Sequence, residues 1–342
     1  MNWMGQPRSR RFLFLFSDTG GGHRASAQAV KDEFGRLYGD RAAIDMVDVF
    51  VEMDRWPFDR FPKWYPTIVG LNGVPWGMGF RLSDRVRTVK AFSRLVWPYA
   101  RHALCQLLRQ YPTDVIVSFH GIPNYGLLMA RRRMMLPKPI AIVTLDLVTA
   151  HASWFVPGAE MYLVPTEQAK ERALQCGVPA ERISVTGMPT RRCFVESMAL
   201  SRIEARARLG LPQEEPVVLM VGGGEGMGPL AEVVQAVASR SPRAHLIAIT
   251  GRNRALAAEL QALDVPVPVQ VEGFVSNMET WMRASDILVT KAGPNTISEA
   301  FIAGLPLVLY TALPGQEAGN VTHVVENRAG LWTPRPELSL IH

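Results

Sequence analysis

Apolar residues along this chain gather in short runs separated by amphipathic stretches, which is the pattern of strands that alternate with helices. The first run, Phe12–Phe16, is followed by a glycine-rich stretch and then by residues 25–38, where apolar side chains recur at helical spacing. Residues 44–49 (IDMVDV) predict a second strand. Strand, glycine-rich loop, helix and strand in this order predict one nucleotide-type half of an α/β fold.

The same order of elements returns in the second half of the chain. Residues 216–221 form an apolar run, Gly222–Gly228 is rich in glycine, and helical spacing follows. Further on, residues 286–290 predict a buried strand, followed by a sharp turn at Gly293–Pro294 and a second strand over residues 307–310. Because ligands of βαβ units lie at the carboxyl ends of the strands, we expect a ligand site after these runs.

The helix between the last two runs has recognisable start and stop signals. We expect Asn295–Thr296 to cap its amino end, Glu299 to lie in its first turn and Gly304 to end it. The simplest role of Glu299 is then compensation of the helix dipole.

The length of the chain, 342 residues, exceeds that of a typical single domain. We therefore predict an α/β protein with an amino-terminal domain over residues 1–200 and a carboxyl-terminal domain over residues 211–342. A polar helix and turn at residues 196–215 are the predicted linker.

Residues 51–100 interrupt the alternation of strands and helices. They carry many aromatic residues between prolines, glycines and basic residues, among them Trp56, Trp64 and Trp76. Tryptophan and tyrosine beside arginine and lysine are typical of segments at the membrane–water interface. The alternative is a helical insertion packed on the core of its own domain. We favour a partly mobile insertion that faces a membrane and a substrate that accepts the transferred group.

The charge distribution also points to a membrane surface. The net charge is +6, and between Arg81 and Lys138 eleven lysines and arginines accompany only two acids. Such an excess suits anionic lipids, although a solvated basic face is the alternative. The sequence has no zinc-ligand spacing and no recognised RNA-binding signature, so a nucleic-acid partner is not expected. No run reaches the roughly 18 apolar residues of a membrane span, and three cysteines without metal-ligand spacing suit a reducing compartment. We predict a cytoplasmic protein bound peripherally to the inner face of the cell membrane.

The glycine-rich stretch at residues 222–228 predicts a phosphate site. Glycines let backbone N–H groups approach phosphate oxygens, and the amino end of the following helix adds positive potential. The spacing is neither that of a Walker loop nor that of a Rossmann GxGxxG motif. We assign Gly222, Gly223, Gly224 and Gly226 to a diphosphate, and a simple glycine turn is the alternative.

His23 follows three glycines at the first strand–helix turn. A histidine there orients a phosphate or deprotonates a hydroxyl near neutral pH. Capping of the helix start is its alternative role. Asp146, at the end of a later predicted strand, is a rival base, with His151 as its partner or as a headgroup contact.

Four motifs in this order resemble those of monogalactosyldiacylglycerol (MGDG) synthases. They are Asp18–Ser26 (DTGGGHRAS), Gly222–Gly226 (GGGEG), Gly293–Ala300 (GPNTISEA) and Pro314–Asn320 (PGQEAGN). The resemblance covers nearly the whole chain. These enzymes are grouped with the MurG-like glycosyltransferases of family 28, which implies a GT-B fold of two Rossmann-like domains facing a cleft. Compared with that architecture, we expect most of the carboxyl-terminal helix that returns to the first domain to be missing.

The resemblance implies roles for further residues. The backbone of Phe274 and Val275 would hold uracil, Glu299 the ribose hydroxyls, and residues 316–320 the sugar or the diphosphate. A carboxylate accepts two vicinal hydroxyls, and amides donate and accept around a sugar ring. Besides the four loop glycines, the expected UDP-sugar site contains Phe274, Val275, Gly293, Thr296, Glu299, Gln316, Glu317 and Asn320. The expected acceptor and membrane contacts are Gly21, Gly22, Trp56, Trp64, Trp76, His151 and Trp154.

The implied reaction is the inverting transfer of galactose from UDP-galactose to 1,2-diacylglycerol, which gives a β-linked galactolipid. His23, or else Asp146, takes the proton from the attacking hydroxyl, and UDP leaves against the glycine loop. No metal-binding DxD pair occurs, so no metal or other cofactor is expected. Three alternatives remain open: UDP-glucose as the donor, a MurG-like transferase with an isoprenoid-linked acceptor, and a non-catalytic lipid- or nucleic-acid-binding protein on the same fold.

Overall fold

The structure is a computed structural model that describes residues 9–19, 21–70, 74–224, 226, 228–240 and 243–334. The chain forms two compact units, Met1–Pro189 and Thr190–His342. The expected loss of the carboxyl-terminal return helix concerns a segment that lies outside the described residues.

The first unit is a parallel sheet with helices between its strands. Its strands are β1 (Arg10–Phe16), β2 (Ala42–Asp48), β3 (Val115–Ser118), β4 (Ile140–Val143), β5 (Met161–Val164) and β6 (Ile183–Val185). Its helices are α1 (Gly22–Tyr38), α2 (Val49–Glu52), α3 (Phe61–Gly70), α4 (Val74–Ser83), α5 (Val86–Gln110), α6 (Asn124–Arg133) and α7 (Glu167–Gln175).

The strand order is β2-β1-β3-β4-β5-β6, with every pair parallel. Helices that cover both faces of a parallel sheet make its central strands apolar at consecutive positions, and Leu13, Phe14 and Leu15 of β1 are fully buried. The chain order changes direction between β1 and β3. The loops after these two strands therefore meet at a topological switch point, where open α/β sheets bind ligands.

The aromatic insertion consists of helices α2 to α5. One side of it packs on the core of the first unit, where Phe50, Met53 and Val89 are buried. The other side is exposed and includes Trp56 and Leu95. The insertion is thus helical and core-packed on one side, while it presents apolar residues to solvent on the other.

The second unit begins with α8 (Arg192–Ser197) and α9 (Arg202–Leu209). Its strands are β7 (Val217–Val221), β8 (His245–Ile249), β9 (Val269–Glu272), β10 (Ile287–Lys291), β11 (Leu307–Thr311) and β12 (Gly330–Trp332). Its other helices are α10 (Leu230–Arg240), α11 (Arg254–Gln261), α12 (Met278–Ala284), α13 (Pro294–Ala303) and α14 (Ala318–Glu326). The order β12-β11-β10-β7-β8-β9 is again parallel throughout, with a switch point between β7 and β10.

The boundary between the units lies at Pro189–Thr190, whereas the predicted boundary lay within residues 200–211. The polar helix that was predicted as a linker is α9, which packs within the second unit. The buried guanidinium of Arg206 donates to the carboxylate of Asp286 at 2.6 Å and to the carbonyl of Ala284 at 2.9 Å. These two bonds hold α9 against β10 and α12.

Helix α13 starts earlier than its sequence signals predicted. Gly293 is its N-cap and Pro294 its first residue, so the predicted cap at Asn295–Thr296 was wrong. Proline is favoured at this position because its missing N–H would have no partner in the helix anyway. Glu299 therefore lies in the second turn, where the helix dipole is weak. Gly304 ends the helix as predicted, with a positive φ of 66°.

No helix in the described part of the chain is both long and apolar enough to cross a membrane.

Candidate functional site

His23 lies at the switch point of the first unit. Gly21, with a φ of 76°, precedes α1, so Gly22 and His23 belong to its first turn. The ring does not cap the helix, because His23 Nδ1 lies 2.8 Å from the carbonyl oxygen of Phe119, directly after β3. A carbonyl oxygen only accepts, so Nδ1 carries the proton and Nε2 carries the lone pair. His23 is thus held in the tautomer of a base that acts through Nε2.

His120 is a second ring at this switch point and was not among the predicted site residues. Its centroid lies 4.6 Å from that of His23, and its side chain is buried. Nδ1 accepts the N–H of Ile122 at 3.3 Å, so Nε2 carries the proton and donates to Thr19 Oγ1 at 3.2 Å. His120 therefore holds the loop after β1 against the end of β3.

Burial keeps both rings uncharged near neutral pH. Desolvation lowers the pKa of His23 from 6.5 to about 4, although its bond to Phe119 and the charge of Asp18 oppose the change. Desolvation and the neighbouring His23 lower the pKa of His120 well below its usual value. The switch point thus offers a neutral imidazole, which accepts a proton, rather than a cation.

Asp146 and Trp154, two further predicted residues, form a buried pair beside His23. Asp146 Oδ2 accepts the indole N–H of Trp154 at 2.7 Å, and both side chains are at most 5% exposed. The Trp154 ring lies 6.1 Å from that of His23. A β carbon on Gly121 would lie only 3.2 Å from this indole, so the glycine allows the loop after β3 to approach it. Asp146 therefore orients an aromatic wall of the His23 site.

The structure places His151 where the insertion joins the sheet. Its Nδ1 accepts the N–H of Ser153 at 3.2 Å, and its Nε2 lies 3.1 Å from Ser83 Oγ at the end of α4. Desolvation lowers its pKa, partly opposed by Asp84. These bonds tie α4 to the loop after β4, and a direct contact of His151 with an acceptor stays a prediction.

The insertion exposes several large apolar side chains. Trp56 is 68% exposed, Trp64 43%, Leu82 75% and Leu95 79%, whereas Trp76 is half-buried. We call the exposed group the insertion surface; it consists of Trp56, Trp64, Met78, Leu82, Phe92, Leu95 and Tyr99. Basic residues lie on α4 and α5 or at the start of α5, namely Arg81, Arg85, Arg87, Lys90 and Arg94. Apolar side chains exposed beside cations are typical of a surface that contacts a membrane.

In the second unit, the glycine-rich loop follows β7 at the switch point and packs closely on the loop after β8. A β carbon on Gly226, whose φ is 57°, would lie 2.4 Å from the carbonyl oxygen of Thr250. The N–H of Arg252 donates to the carbonyl of Gly224 at 3.0 Å, and Asn253 Nδ2 donates to that of Gly226 at 3.2 Å. Only glycine fits at position 226, which explains part of the motif independently of a ligand.

The other loop glycines take up the expected place at the end of β7. Gly222 is buried, and Gly223 and Gly228 have positive φ angles of 77° and 91°. Gly293 begins α13 after the neighbouring strand, β10. The four predicted diphosphate-binding glycines and the amino end of α13 therefore all lie at the β7/β10 switch point.

A buried ion pair lies beside this loop, and its cation was not predicted. Lys291, the last residue of β10, places Nζ 2.6 Å from Glu317 Oε1, while Glu317 Oε2 accepts the N–H of Leu313 at 2.9 Å. A β carbon on Gly223 would lie 3.5 Å from Lys291 Cε, and one on Gly293 would lie 3.2 Å from Lys291 Nζ. The ammonium therefore adjoins both glycine segments. A cation that ends a buried strand at a switch point was the signal available in the sequence.

Glu299 lies in a low-polarity environment on α13. Desolvation raises its pKa from 4.5 to about 7, while Arg191 opposes the change and Glu279 adds to it. Arg191 is held by the carbonyl of Ser276 at 3.3 Å and approaches the carboxylate of Glu279 at 3.8 Å. Desolvation thus favours the protonated form of Glu299 more than it would for a carboxyl group in water.

The remaining predicted residues surround the same strand ends. Asn320 is buried and donates through Nδ2 to the carbonyl of Ala292 at 2.8 Å, which fixes the turn before α13. Phe274, after β9, is 61% exposed, and the guanidinium carbon of Arg252 lies 4.8 Å from its ring centre. Three other predicted residues are half-buried in these segments: Val275 after β9, Thr296 in the first turn of α13, and Gln316 before α14.

The side chains of the described residues include no group of three or more His, Cys, Asp or Glu that could hold a metal ion. The expectation of metal-independent chemistry stays a prediction.

Two known protein families match the two units separately. A family model described as monogalactosyldiacylglycerol (MGDG) synthase matches residues 23–190, and the glycosyltransferase family 28 C-terminal domain matches residues 217–335. Monogalactosyldiacylglycerol synthase 2, chloroplastic, of Arabidopsis thaliana is 36% identical over 98% of this chain and 73% of its own length. Monogalactosyldiacylglycerol synthase, chloroplastic, of Spinacia oleracea is 38% identical over 97% of this chain and 65% of its own length.

Solved structures show the same fold at low sequence identity. MurG of Acinetobacter baumannii matches with a TM-score of 0.54 and 16% identity, over 95% of this chain and 85% of that one. The S. aureus MnaA–UDP co-structure matches with a TM-score of 0.57 and 14% identity, over 94% and 83%. These likenesses confirm the predicted fold class, GT-B with two Rossmann-like domains.

Proposed function

This chain belongs to the monogalactosyldiacylglycerol synthase family, and from that premise we propose that it transfers galactose from UDP-galactose to 1,2-diacylglycerol to form MGDG. The observation that carries this conclusion is the identity of 36% to a curated synthase over 98% of the chain. The switch point of the second unit lies within residues 217–335, and His23 and the end of β3 lie within residues 23–190. The protein is thus a hexosyltransferase with a UDP-sugar donor and a lipid acceptor.

We assign activation of the acceptor to the first unit. The Nε2 lone pair of His23 takes the proton of the diacylglycerol hydroxyl while the hydroxyl oxygen attacks the anomeric carbon. A neutral imidazole is available because the pKa of His23 is about 4. The proton becomes more acidic as the new C–O bond forms, so a base of low pKa suffices in a concerted step. Asp146 is the weaker candidate, because one of its oxygens already accepts the Trp154 indole N–H.

We assign the donor to the second unit. The glycines of the loop after β7 and the amino end of α13 provide backbone N–H groups for the diphosphate. Glu299 accepts the ribose hydroxyls, and the exposed Phe274 segment adjoins uracil. Gln316 lies before α14, where its amide donates to and accepts from the sugar, and Asn320 near the start of α14 fixes the turn before α13. The bond between the anomeric carbon and UDP breaks with inversion, and UDP keeps the electron pair.

The insertion surface is the proposed membrane contact of the first unit. Diacylglycerol resides in a bilayer, so the enzyme must reach the lipid–water interface. Exposed Trp56, Leu82 and Leu95 supply apolar area, and the arginines and Lys90 on α4 and α5 attract anionic headgroups. We propose peripheral binding at the cytoplasmic face of the cell membrane, with anionic lipids as partners.

The direct test is a lipid assay. The purified protein is incubated with diacylglycerol liposomes and labelled UDP-galactose or, separately, labelled UDP-glucose, and the lipids are then resolved chromatographically. We expect a labelled monohexosyl lipid from UDP-galactose. A product from UDP-glucose alone would refute the sugar assignment. The absence of any lipid product, in a preparation that binds UDP in calorimetry, would refute the acceptor.

A further inference from the structure

The donor diphosphate carries negative charge that backbone dipoles offset only in part, and a full positive charge lies beside its proposed site. We propose that Lys291 binds the diphosphate directly and neutralises the charge that develops as UDP leaves. This inference rests on the proposed function of the second unit as the donor site. It adds a catalytic residue to the residues derived from the sequence.

The position of Lys291 carries the proposal. It ends β10, so it lies at the carboxyl edge of the sheet and at the switch point. Its Cε would lie 3.5 Å from a β carbon on Gly223, and its Nζ 3.2 Å from one on Gly293. A phosphate that accepts backbone N–H groups from either glycine segment therefore comes within reach of the ammonium. The side chain is 17% exposed, so it is shielded but not sealed off.

Glu317 holds this cation in place. Glu317, with a side chain only 4% exposed, accepts one N–H of the ammonium at 2.6 Å and is itself fixed by the N–H of Leu313 at 2.9 Å. An ammonium has three donors, so two more serve phosphate oxygens. Glu317 is accordingly a positioning residue rather than a direct sugar contact.

The role of Lys291 in the reaction follows from charge balance. The acceptor oxygen forms its bond to the anomeric carbon, and its proton passes to His23. The bond from that carbon to the β-phosphate oxygen breaks, and the electron pair remains on the phosphate. Lys291 offsets this added negative charge, which is the part a divalent cation plays in metal-dependent phosphate chemistry.

Calorimetry with uridine, UMP and UDP tests the assignment on the full chain. In wild type we expect affinity to rise along this series as phosphates are added. The variant Lys291→Met should lower UDP affinity about 10- to 100-fold, the range for a hydrogen bond to a charged group, and leave uridine affinity unchanged. Lys291→Arg keeps the charge and should restore part of the preference for UDP. With donor and lipid present, Lys291→Met should also lower kcat.

Because Lys291→Met leaves a buried carboxylate unpaired, the double variant Lys291→Met/Glu317→Gln is measured as well. Arg202→Met is the matched control, since it breaks an ion pair of the same 2.6 Å length in the same unit. The control should keep the wild-type preference for UDP over uridine. The proposal is overturned if a folded double variant keeps that preference, or if uridine and UDP lose affinity equally.

These binding measurements need neither sugar nor lipid, so they separate this inference from the proposed function. If the wild type makes no galactolipid and its UDP binding still depends on Lys291, the galactosyltransferase assignment is wrong and the diphosphate role stands. If galactolipid forms and UDP binding ignores Lys291, only the diphosphate role is wrong.

Discussion

Both units are parallel six-stranded sheets with one switch point each, but they differ in strand order and in the side chains at that point. In the first unit, the β1/β3 switch point holds three rings, those of His23, His120 and Trp154. In the second unit, the β7/β10 switch point holds glycines and the Lys291–Glu317 ion pair. The fold supplies the place of a site in both units, whereas the loops decide its chemistry.

The polar groups at the two switch points differ in their partners. His23 and His120 form hydrogen bonds to a carbonyl and a hydroxyl oxygen, and desolvation lowers the pKa of both rings. Lys291 forms an ion pair with the carboxylate of Glu317. A neutral ring cluster suits proton transfer from a lipid hydroxyl, and a compensated cation beside glycines suits a diphosphate. The comparison thus predicts that substitutions in the two units affect different kinetic constants.

The largest expected effect is that of His23→Ala. Loss of the general base should lower turnover about 10²- to 10⁴-fold, while the donor site in the second unit keeps its UDP affinity. Galactolipid formation and UDP calorimetry measure the two quantities separately. His120→Gln is the comparison variant, since it leaves Nε2 of His23 intact. Wild-type turnover of His23→Ala would refute the base assignment, and a parallel loss of UDP affinity would remove the contrast between the units.

Glu299 should give a smaller effect, confined to donor binding. Its pKa of about 7 makes the carboxylate form, which accepts both ribose hydroxyls, increase as pH rises through neutrality. We expect UDP affinity to rise about 10-fold between pH 6 and pH 8.

The variant Glu299→Gln should bind UDP more weakly and lose this pH dependence. It also serves as the control for the titration of UDP itself, because the ligand is the same in both experiments. If UDP affinity depended on pH equally in wild type and variant, the dependence would come from the ligand. The proposal that Glu299 binds the ribose hydroxyls would then be refuted.

The strands, and the strand ends at which ligands are expected, could be predicted because buried parallel strands appear as apolar runs, as at β1 and β10. The sequence also placed His23 and the glycine loop correctly at strand ends. It could not place His120, since its importance depends on β3 being the neighbour of β1, and the order of strands is not visible in a single sequence. Likewise, Lys291 directly follows a predicted strand, but its ion pair with Glu317 depends on a turn that brings together residues 26 positions apart. The start of α13 was misplaced because Asn295 and Thr296 are residue types that favour the N-cap position. In the structure, Gly293 is the N-cap and Pro294 the first residue of the helix.

The insertion surface belongs to the first unit alone and should control membrane binding. The double variant Leu82→Ser/Leu95→Ser removes two side chains that are 75% and 79% exposed, so the fold should persist. We expect about a 5-fold loss of binding to anionic liposomes in sedimentation. Ile203→Ser, at a position 70% exposed in the second unit, is the matched control and should sediment like wild type. Equal sedimentation of all three proteins would exclude these leucines from the membrane contact.

The ring cluster of the first unit should also make stability depend on pH. Both histidines have folded-state pKa values below 6.5, so between pH 6.5 and about 4 the unfolded chain binds more protons than the folded chain. The contribution of the two histidines to the free energy of unfolding is therefore fully present above pH 6.5. It falls as the pH approaches 4, by about 1.4 kcal/mol for each unit by which the pKa is lowered in the folded state.

Urea midpoints measured across this range test the argument. The variant His23→Gln/His120→Gln should show a shallower loss of stability on acidification than wild type, even if its midpoint at pH 7 is lower. His102→Gln, at an exposed position of α5, is the control and should follow the wild-type curve. An unchanged slope in the double variant would mean that other groups dominate the acid response. The neutral, buried state of the two rings would then lose its thermodynamic support, and with it the contrast to the charged pair of the second unit.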